Sequence, residues 1–382
     1  MATKRSIFEE VGEAAPPLAV PQTGLIDKAR RGARGAIRAW LILLFALVVV
    51  MIQVGGLTRL TDSGLSITEW APVTGALPPL TPDAWDSEFE KYKAIPEYQL
   101  QNKGMSLGEF KVIYWWEWGH RQLGRVIGLV WALGFLIFLV ARQIPTGWTG
   151  RLFLLGALGG AQGAIGWWMV ASGLTGEALD VASYRLATHL GLAFVILGFI
   201  AWYTLHMGRA ERDLMQARRI RERGLMTLSG VFLAVAFVQI LMGALVAGID
   251  AGRTYIDWPL MAGGFLPPDP LELRPIWRNF FEDAGLVQFM HRIAGYLLLV
   301  LGLLVWWKGR GSTHARTRRA FDWAAVILFG QIVLGIVTVM NGAVWYFAIL
   351  HQLLAVILWV LILRARFLSA YPRVGSVREG LA

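Results

Sequence analysis

Eight long apolar runs constrain the fold of this chain more than any other feature of its sequence. An α-helix needs roughly 20 apolar residues to cross about 30 Å of hydrocarbon, and backbone groups in lipid must find their hydrogen bonds within the protein. A composition of 56% hydrophobic and 16% charged residues fits the same class. We therefore predict an all-α membrane protein with eight transmembrane helices. The runs lie near residues 37–54, 120–141, 152–171, 187–204, 225–246, 287–307, 321–340 and 345–363.

The charged residues are divided unequally between the two sides of such a protein. With the N-terminus in the cytoplasm, 24 of the 36 lysines and arginines fall on the cytoplasmic side, and 17 of the 26 acidic residues fall outside. Cytoplasmic loops of membrane proteins carry such an excess of positive charge. We therefore expect both termini in the cytoplasm. The net charge of +10 follows from this topology, so no nucleic-acid partner is expected.

Three short motifs occur twice in the chain, in the same order. Four helices per half is an even number, so both halves insert the same way up. We predict two tandem four-helix bundles related by a pseudo-two-fold axis along the membrane normal. The motifs are HRQLG (120–124) and HRIAG (291–295), QxxxG (162–166 and 331–335), and HxxLA (189–193 and 351–355), at offsets of 171, 169 and 162 residues.

This repeat predicts the organisation of the chain. Two similar halves are expected, with a cytoplasmic linker between them and a cytoplasmic tail at each end. The predicted parts are 1–36 (tail), 37–206 (N-terminal half), 207–224 (linker), 225–366 (C-terminal half) and 367–382 (tail).

Four histidines are the strongest indication of chemistry. His120, His189, His291 and His351 each stand at the predicted start of an even-numbered helix, near the outer surface. A single histidine at an interface is more often structural, but four at one depth, two per repeat, favour ligands. Facing helices of a bundle can supply two imidazoles to a haem iron, whereas zinc needs three or four ligands. The repeat pairs His120 with His189, and His291 with His351.

The absence of cysteine narrows the chemistry further. With no cysteine in the chain, disulfides, thiolate zinc sites, iron–sulfur clusters and cysteine nucleophiles are excluded. No methionine has a placement comparable to the four histidines. Axial ligation by two histidines is therefore the ligand set that we predict.

The two halves differ beside the first histidine of each. Glu117 lies three residues before His120, one helical turn away, whereas Gln288 lies before His291. This difference suggests that the first half reacts and the second holds its cofactor. An ion pair of Glu117 with Arg121 or Arg125 explains the carboxylate equally well.

Arginines and two long outer segments surround these histidines. Arg121, Arg125 and Arg292 would suit haem propionates, and they would equally suit lipid phosphate. The outer segments, residues 58–117 and 248–286, either cap the site or serve as connectors.

Four long motifs surround Glu117 and two of the histidines or lie close to them in sequence. They are GGLTRLTDSGLSITEW (55–70), EWGHRQLGR (117–125), QGAIGWWMV (162–170) with SGL (172–174), and MHRIAGY (290–296). With these motifs the chain resembles the haem A synthase family, over residues 38 to 365.

The resemblance implies an oxidoreductase of the bacterial inner membrane that oxidises the C8 methyl group of haem O to a formyl group, making haem A for terminal oxidases. It implies a permanent haem b bound by His291 and His351. The N-terminal half then receives haem O, with His120, His189 and Glu117 as catalytic residues. Without a cysteine pair in its first outer loop, the chain is similar to the alphaproteobacterial and mitochondrial branch, and a thiol relay is excluded.

The resemblance leaves several partners open. Haem O and the lipid bilayer are implied, whereas the electron acceptor is unassigned, with quinone as one candidate. A complex with haem O synthase and a homo-oligomer both remain open.

Two other functions remain open from the residues alone. An electron-transfer membrane cytochrome b predicts two permanent haems and no effect of Glu117→Ala on any product. A transporter built from the same repeat predicts ionisable groups near the bilayer midplane. The charges near the histidines lie at the outer helix ends instead, which disfavours the transporter.

Overall fold

The computed structural model describes residues 25–175 and 179–373, with side chains from residue 33 onward. Within these residues the protein is helical, with one isolated β-bridge between Met261 and Gly264 and no strand. Eight helices are long and apolar enough to span a membrane, as predicted. They are α1 (Leu25–Leu60), α2 (Leu107–Val140), α3 (Thr149–Val170), α4 (Ser183–Met207), α5 (Arg223–Gly248), α6 (Ala284–Arg310), α7 (Ala315–Met340) and α8 (Trp345–Ala370).

Helix α2 begins much earlier than predicted. Its first residue is Leu107, where Ser106 Oγ accepts a hydrogen bond from Glu109 N and Glu109 Oε2 accepts one from Ser106 N. This reciprocal cap starts a 34-residue helix about 50 Å long, which exceeds the hydrocarbon thickness. His120 is therefore the fourteenth residue of α2, and the prediction that the histidines stand at helix starts was wrong. The other three lie about two turns inside α4, α6 and α8.

The predicted tails and linker are partly helical. Helix α1 begins at Leu25, inside the predicted tail 1–36, and residues 1–24 lie outside the described residues. The predicted linker 207–224 contains a short helix, Glu211–Arg219. Helix α8 ends at Ala370, within the predicted C-terminal tail, of which residues 374–382 lie outside the description.

The helices of each half form a ring of four neighbours. In the first half α1 packs on α2, α2 on α3, α3 on α4 and α4 on α1, and α5 to α8 repeat this order. The halves meet through α4 with α5, α1 with α8, and α4 with α8. A pseudo-two-fold axis would exchange the first two of these contacts and leave the third in place. The symmetry itself stays a prediction, and the observed neighbours are those it requires.

Apolar packing joins the two rings near their centre. One buried cluster combines α1 and α4 with Val356, Trp359 and Leu363 of α8. Trp359 Nε1 also donates a hydrogen bond to Phe194 O at 3.0 Å, in the contact between α8 and α4. A second cluster around Phe232, Leu298 and Leu328 fills the C-terminal ring. The histidine-bearing helices are thus held by a common core.

The first outer segment is an ordered cap. It contains the helices Pro82–Lys93 and Pro96–Leu100. Tyr92 of the first of these helices and Phe110 of α2 are fully buried. These side chains pack with Leu65 and Ile67, which follow α1. We call residues 61–106 the outer cap, and it covers the end of the N-terminal ring where α2 enters.

Candidate functional site

The four histidines lie on helices that face each other across the two rings. In each ring the histidine-bearing helices, α2 and α4 or α6 and α8, are opposite rather than adjacent. The helices of His120 and His189 belong to one ring, and those of His291 and His351 belong to the other. The structure therefore places both members of each predicted pair in the same ring, and their action as a ligand pair stays a prediction.

A glycine on a neighbouring helix makes room for each imidazole. A Cβ on Gly166 would lie 2.8 Å from His189 Cε1, and one on Gly335 would lie 2.9 Å from His351 Cε1. A Cβ on Gly243 would lie 3.1 Å from His291 Cε1. The contact at His120 is looser, since a Cβ on Gly55 would lie 3.4 Å from His120 Nε2. Larger residues at the first two positions would displace the rings.

A glutamine on the preceding helix contacts three of the four histidines. Gln162, Gln239 and Gln331 donate through Nε2 to the backbone oxygen of His189, His291 and His351, at 2.9, 3.0 and 3.1 Å. The Oε1 atom of each of these amides is buried and has no hydrogen-bond partner among the described residues. Three buried acceptors are thus available beside the rings.

The donor set fits haem better than a bare metal ion. Among the described residues no group of three or more His, Asp or Glu side chains could hold a metal. Two imidazoles across a bundle core are instead the axial ligand set of a haem. The orphaned glutamine oxygens and the glycine positions beside the rings agree with this assignment. His291 with His351, and His120 with His189, are the residues that would hold the iron.

Glu117 is buried and fully hydrogen-bonded. Its side chain is 2% exposed, and Oε2 accepts from Ser66 Oγ and Ile67 N, both at 2.7 Å. Oε1 accepts from Arg121 Nε at 3.0 Å and Nη2 at 2.5 Å. The ion pair with Arg121 is therefore present. The carboxylate also joins α2 to the chain segment that follows α1.

Gln288 performs the same anchoring in the other half. It lies 171 residues after Glu117 and donates to Ala251 O at 2.9 Å and Tyr255 O at 3.1 Å, in the segment that follows α5. Arg292, the counterpart of Arg121, donates to Gln288 Oε1 at 3.1 Å. The two sites thus share one arrangement, and they differ in that Glu117 is a carboxylate whereas Gln288 is an amide.

The comparisons with known proteins agree with this arrangement. Residues 38–363 match the family described as cytochrome oxidase assembly protein. A protein of Dinoroseobacter shibae named heme A synthase is 71% identical over 383 residues, covering 100% of both chains. A heme A synthase of Ruegeria pomeroyi is 68% identical over 99% of this chain and 100% of its own length. The chain belongs to the haem A synthase family of cytochrome oxidase assembly proteins.

The three arginines of this family member bind backbone oxygens. Arg125 donates through Nε to Pro72 O at 2.9 Å and through Nη2 to Ala71 O at 3.0 Å, and it makes no ion pair with Glu117. Arg121 and Arg292 donate in the same way to the segments that follow α1 and α5. Their first role is to hold these segments against α2 and α6. Whether they also bind propionates stays a prediction.

Some residues of the site were missed by the sequence analysis. Gln239 and Gly243 form a third QxxxG pair, and a search across all four odd-numbered helices would have found it. Ser66 has no sequence signal, because its contact with Glu117 joins residues 51 positions apart. A fifth histidine, His206, lies outside the site, near the end of α4. Its ring is 5.0 Å from those of Phe367 and Tyr371.

Proposed function

We propose that this protein oxidises the C8 methyl group of haem O to a formyl group and so makes haem A. The observation that carries the proposal is the placement of two histidines on opposite helices of each four-helix ring, in a chain that matches heme A synthases over its full length. When water supplies the oxygen atom, conversion of a methyl group to a formyl group releases four electrons and four protons. The haem b supplies redox chemistry when it is bound, and an acceptor such as quinone takes the electrons away.

We assign the permanent haem b to His291 and His351 and the substrate to His120 and His189. The lower burial of α2 and α3 supports this division. Only 6% of the apolar segment of α2 and 11% of that of α3 are buried, against 22% in α6 and 17% in α7. The other two helices of the first ring, α1 and α4, are 28% and 50% buried, against 22% in α5 and 28% in α8, so the open side of this ring is confined to α2 and α3. A substrate must enter and leave its site, whereas a permanent cofactor is best held in a tightly packed one.

Glu117 is the acidic group closest in sequence to the substrate ligand His120, one turn away on α2. Burial beside Ser66 and Ile67 holds the carboxylate in place, and Arg121 supplies the opposite charge. We propose that Glu117 handles protons released from the substrate edge, which requires one of its present hydrogen bonds to open. The amide of Gln288 cannot do this in the other half.

The remaining assignments follow from topology and family. We propose that the chain lies in the bacterial inner membrane with both termini in the cytoplasm, because the positive charge is concentrated on that side. The four histidines of α2, α4, α6 and α8 then lie closer to the outer face than to the cytoplasmic face. The division at residues 207–224 separates a substrate half from a cofactor half, and a complex with haem O synthase would deliver the substrate.

Pigment extraction tests the function. The protein is purified from cells that make haem O, and its haems are identified by mass. We expect haem b together with haem A or its hydroxylated precursor. Two equivalents of haem b in the same cells would make the protein an electron-transfer cytochrome instead.

A further inference from the structure

The chain that follows α1 turns back along α2 towards the membrane. Helix α1 ends at Leu60, and the contacts of the next twelve residues then move down α2 from its eleventh residue to its nineteenth. Because an α-helix rises about 1.5 Å per residue, this descent covers about 12 Å. The contacts are Glu117 with Ser66 Oγ and Ile67 N, Arg121 with the backbone oxygens of Ile67 and Glu69, and Arg125 with those of Ala71 and Pro72.

The lower end of this descent reaches the depth of the hydrocarbon. Arg125 is fifteen residues before the end of α2 at Val140, and the charged residue Arg142 follows two positions later. Fifteen residues rise about 22 Å, and any tilt of the helix reduces this height. The hydrocarbon of a bilayer is about 30 Å thick. The backbone that Arg125 binds therefore lies at or below the boundary between lipid headgroups and acyl chains.

Residues 70–80, which we call the dipping loop, form the turn at the lower end of the descent. The loop contains the 3₁₀ turn Thr74–Ala76, carries no charged side chain and leads back to the helix Pro82–Lys93. Its side chains Val73, Leu77 and Leu80 are 80%, 72% and 78% exposed. Removal of such apolar surface from water is favourable. Acyl chains are therefore a better environment for these three side chains than water.

The backbone of the dipping loop suits a position at the edge of the hydrocarbon. Irregular backbone needs partners within the protein there, because acyl chains supply no hydrogen bonds. Arg125 donates to the oxygens of residues 71 and 72, and the amides of residues 75–77 donate within the loop. Residues 72, 78 and 79 are prolines, which have no backbone N–H to leave unpaired.

A second descent occurs beside α6. Arg292 donates to Leu260 O at 3.0 Å, and one turn further along α6 Tyr296 OH accepts from Trp258 Nε1 at 2.9 Å. Tyr296 is fourteen residues before the end of α6, about 21 Å along the helix axis. In this second loop the apolar side chain of Phe265 is 64% exposed. The same arrangement thus occurs in both halves, with different residues.

We propose that the dipping loop and its counterpart, residues 256–266, insert into the outer leaflet and contact lipid acyl chains, and that Arg125 holds the dipping loop at this depth. Lipid is favoured over a protein partner because the loop is continuous with the apolar outer surface of α2, where Leu129 is 58% exposed. The counterpart loop has one charged side chain, Asp257, whose carboxylate accepts from Gly263 N at 3.3 Å.

Single cysteines test the proposal, because the natural chain contains none. Val73→Cys, Leu77→Cys and Phe265→Cys are made in the full-length protein, labelled with a nitroxide and reconstituted into phosphatidylcholine nanodiscs. Collisions of the label with oxygen, which concentrates among acyl chains, are compared with collisions with a water-soluble nickel chelate. Leu129→Cys on α2 is the control for lipid, and Glu90→Cys, whose native side chain is 70% exposed on the outer cap, is the control for water.

We expect the oxygen-to-nickel ratio at residues 73, 77 and 265 to resemble that at residue 129 and to exceed that at residue 90 several-fold. A ratio equal to that at residue 90 would place the loops in water and overturn the proposal. Low collision rates with both reagents would show that protein covers the loops, which would overturn it as well. None of these outcomes depends on the haem chemistry proposed above.

Arg125→Leu tests the anchor. Without the guanidinium, the backbone oxygens of residues 71 and 72 need water, so the ratio measured at residue 73 should fall several-fold towards that of residue 90. Lys93→Leu removes a basic side chain from the outer cap without touching the dipping loop and should leave the ratio unchanged. An unchanged ratio in Arg125→Leu would overturn the anchoring role.

Discussion

Glu117 and Gln288 occupy equivalent positions but differ in charge. Both anchor the segment that follows the preceding odd-numbered helix, and both are nearly buried, at 2% and 3% exposure. Because Gln288 anchors its segment without a charge, anchoring alone does not require a carboxylate at residue 117. We therefore propose that the charge of Glu117, rather than its anchoring bonds, serves the reaction.

Glu117→Gln separates anchoring from chemistry. The amide should still accept from Ile67 N, so the outer cap and both haems are expected to remain. Product formation should fall at least about tenfold, a typical effect of losing an acid–base group. Haem content and product are measured by pigment analysis. If Glu117→Gln turns over like the wild type, Glu117 only anchors the outer cap. Arg125→Gln serves as the control for general disturbance of this surface.

A second buried carboxyl group lies in the outer cap. Glu97 is 4% exposed and accepts hydrogen bonds from Tyr92 OH at 2.9 Å and Asn102 Nδ2 at 3.2 Å. Burial raises the pKa of Glu97 to about 7, and the negative charge of Glu117 adds to this effect. The neutral form is thus favoured in the folded cap.

The raised pKa of Glu97 predicts a pH-dependent cap. Between the ordinary pKa of 4.5 and a pH of about 7, the carboxyl group is ionised in the unfolded segment and protonated in the folded cap. The stability of the cap should therefore fall as the pH rises through this range, by about 3 kcal/mol in total, and stay level above pH 7. Glu97→Gln should remove this dependence. Hydrogen exchange of the helix Pro82–Lys93 between pH 4.5 and 8 measures it. Glu90→Gln, on the exposed side of that helix, should keep the wild-type slope, and equal slopes in all three proteins would contradict the account.

At the scale of helices, glycine positions differ in how closely they are packed. A Cβ on Gly128 of α2, or on Gly159 and Gly160 of α3, would meet no atom within 4 Å, and these glycines are exposed. A Cβ on Gly302 of α6 would collide with Leu328 of α7 and lie 3.2 Å from Phe232. Glycines in close contact also occur in the first half, where a Cβ on Gly156 would collide with Trp131.

Two glycine substitutions test this difference between positions. Gly302→Ala should destabilise the C-terminal ring by about 1–3 kcal/mol, because the added methyl overpacks α6 against α7. Gly128→Ala places the same methyl group in open space and should have no destabilising effect. Thermal unfolding in detergent compares the two. Equal destabilisation by both would contradict the close packing of Gly302 between α6 and α7.

The elements that the sequence predicted well are those with a local signal. All eight apolar runs became helices, because a membrane span needs only length and hydrophobicity. The start of α2 was missed because residues 107–119 lie beyond the apolar run, and their helix depends on the cap at Ser106 and on burial of Phe110 and Tyr114 in the outer cap. The cap is a local Ser-x-x-Glu pattern that the sequence analysis did not use, whereas the burial of Phe110 and Tyr114 is a tertiary contact that hydropathy does not contain.

At the scale of the whole molecule, Arg59 is one of the residues that join the two halves outside the membrane-spanning helices. Arg59, at the end of α1, donates to Asp62 at 2.8 Å and to Asp250 of the other half at 3.0 Å, and lies 3.5 Å from Asp180. The repeat predicted two halves and their histidine pairs, but this junction joins residues 191 positions apart and has no signal in either repeat. The division of roles between the halves was inferred from Glu117 and Gln288, and the packing of α2 and α3 supports it.

We propose that the first four-helix half of the protein converts haem O and that the second half permanently binds haem b. Pigment analysis of His189→Ala and His351→Ala, purified from cells that supply haem O, tests it most directly. We expect His189→Ala to keep one equivalent of haem b and to contain no haem A. His351→Ala should lose haem b. A stable haem b that is lost in His189→Ala and kept in His351→Ala would contradict the account.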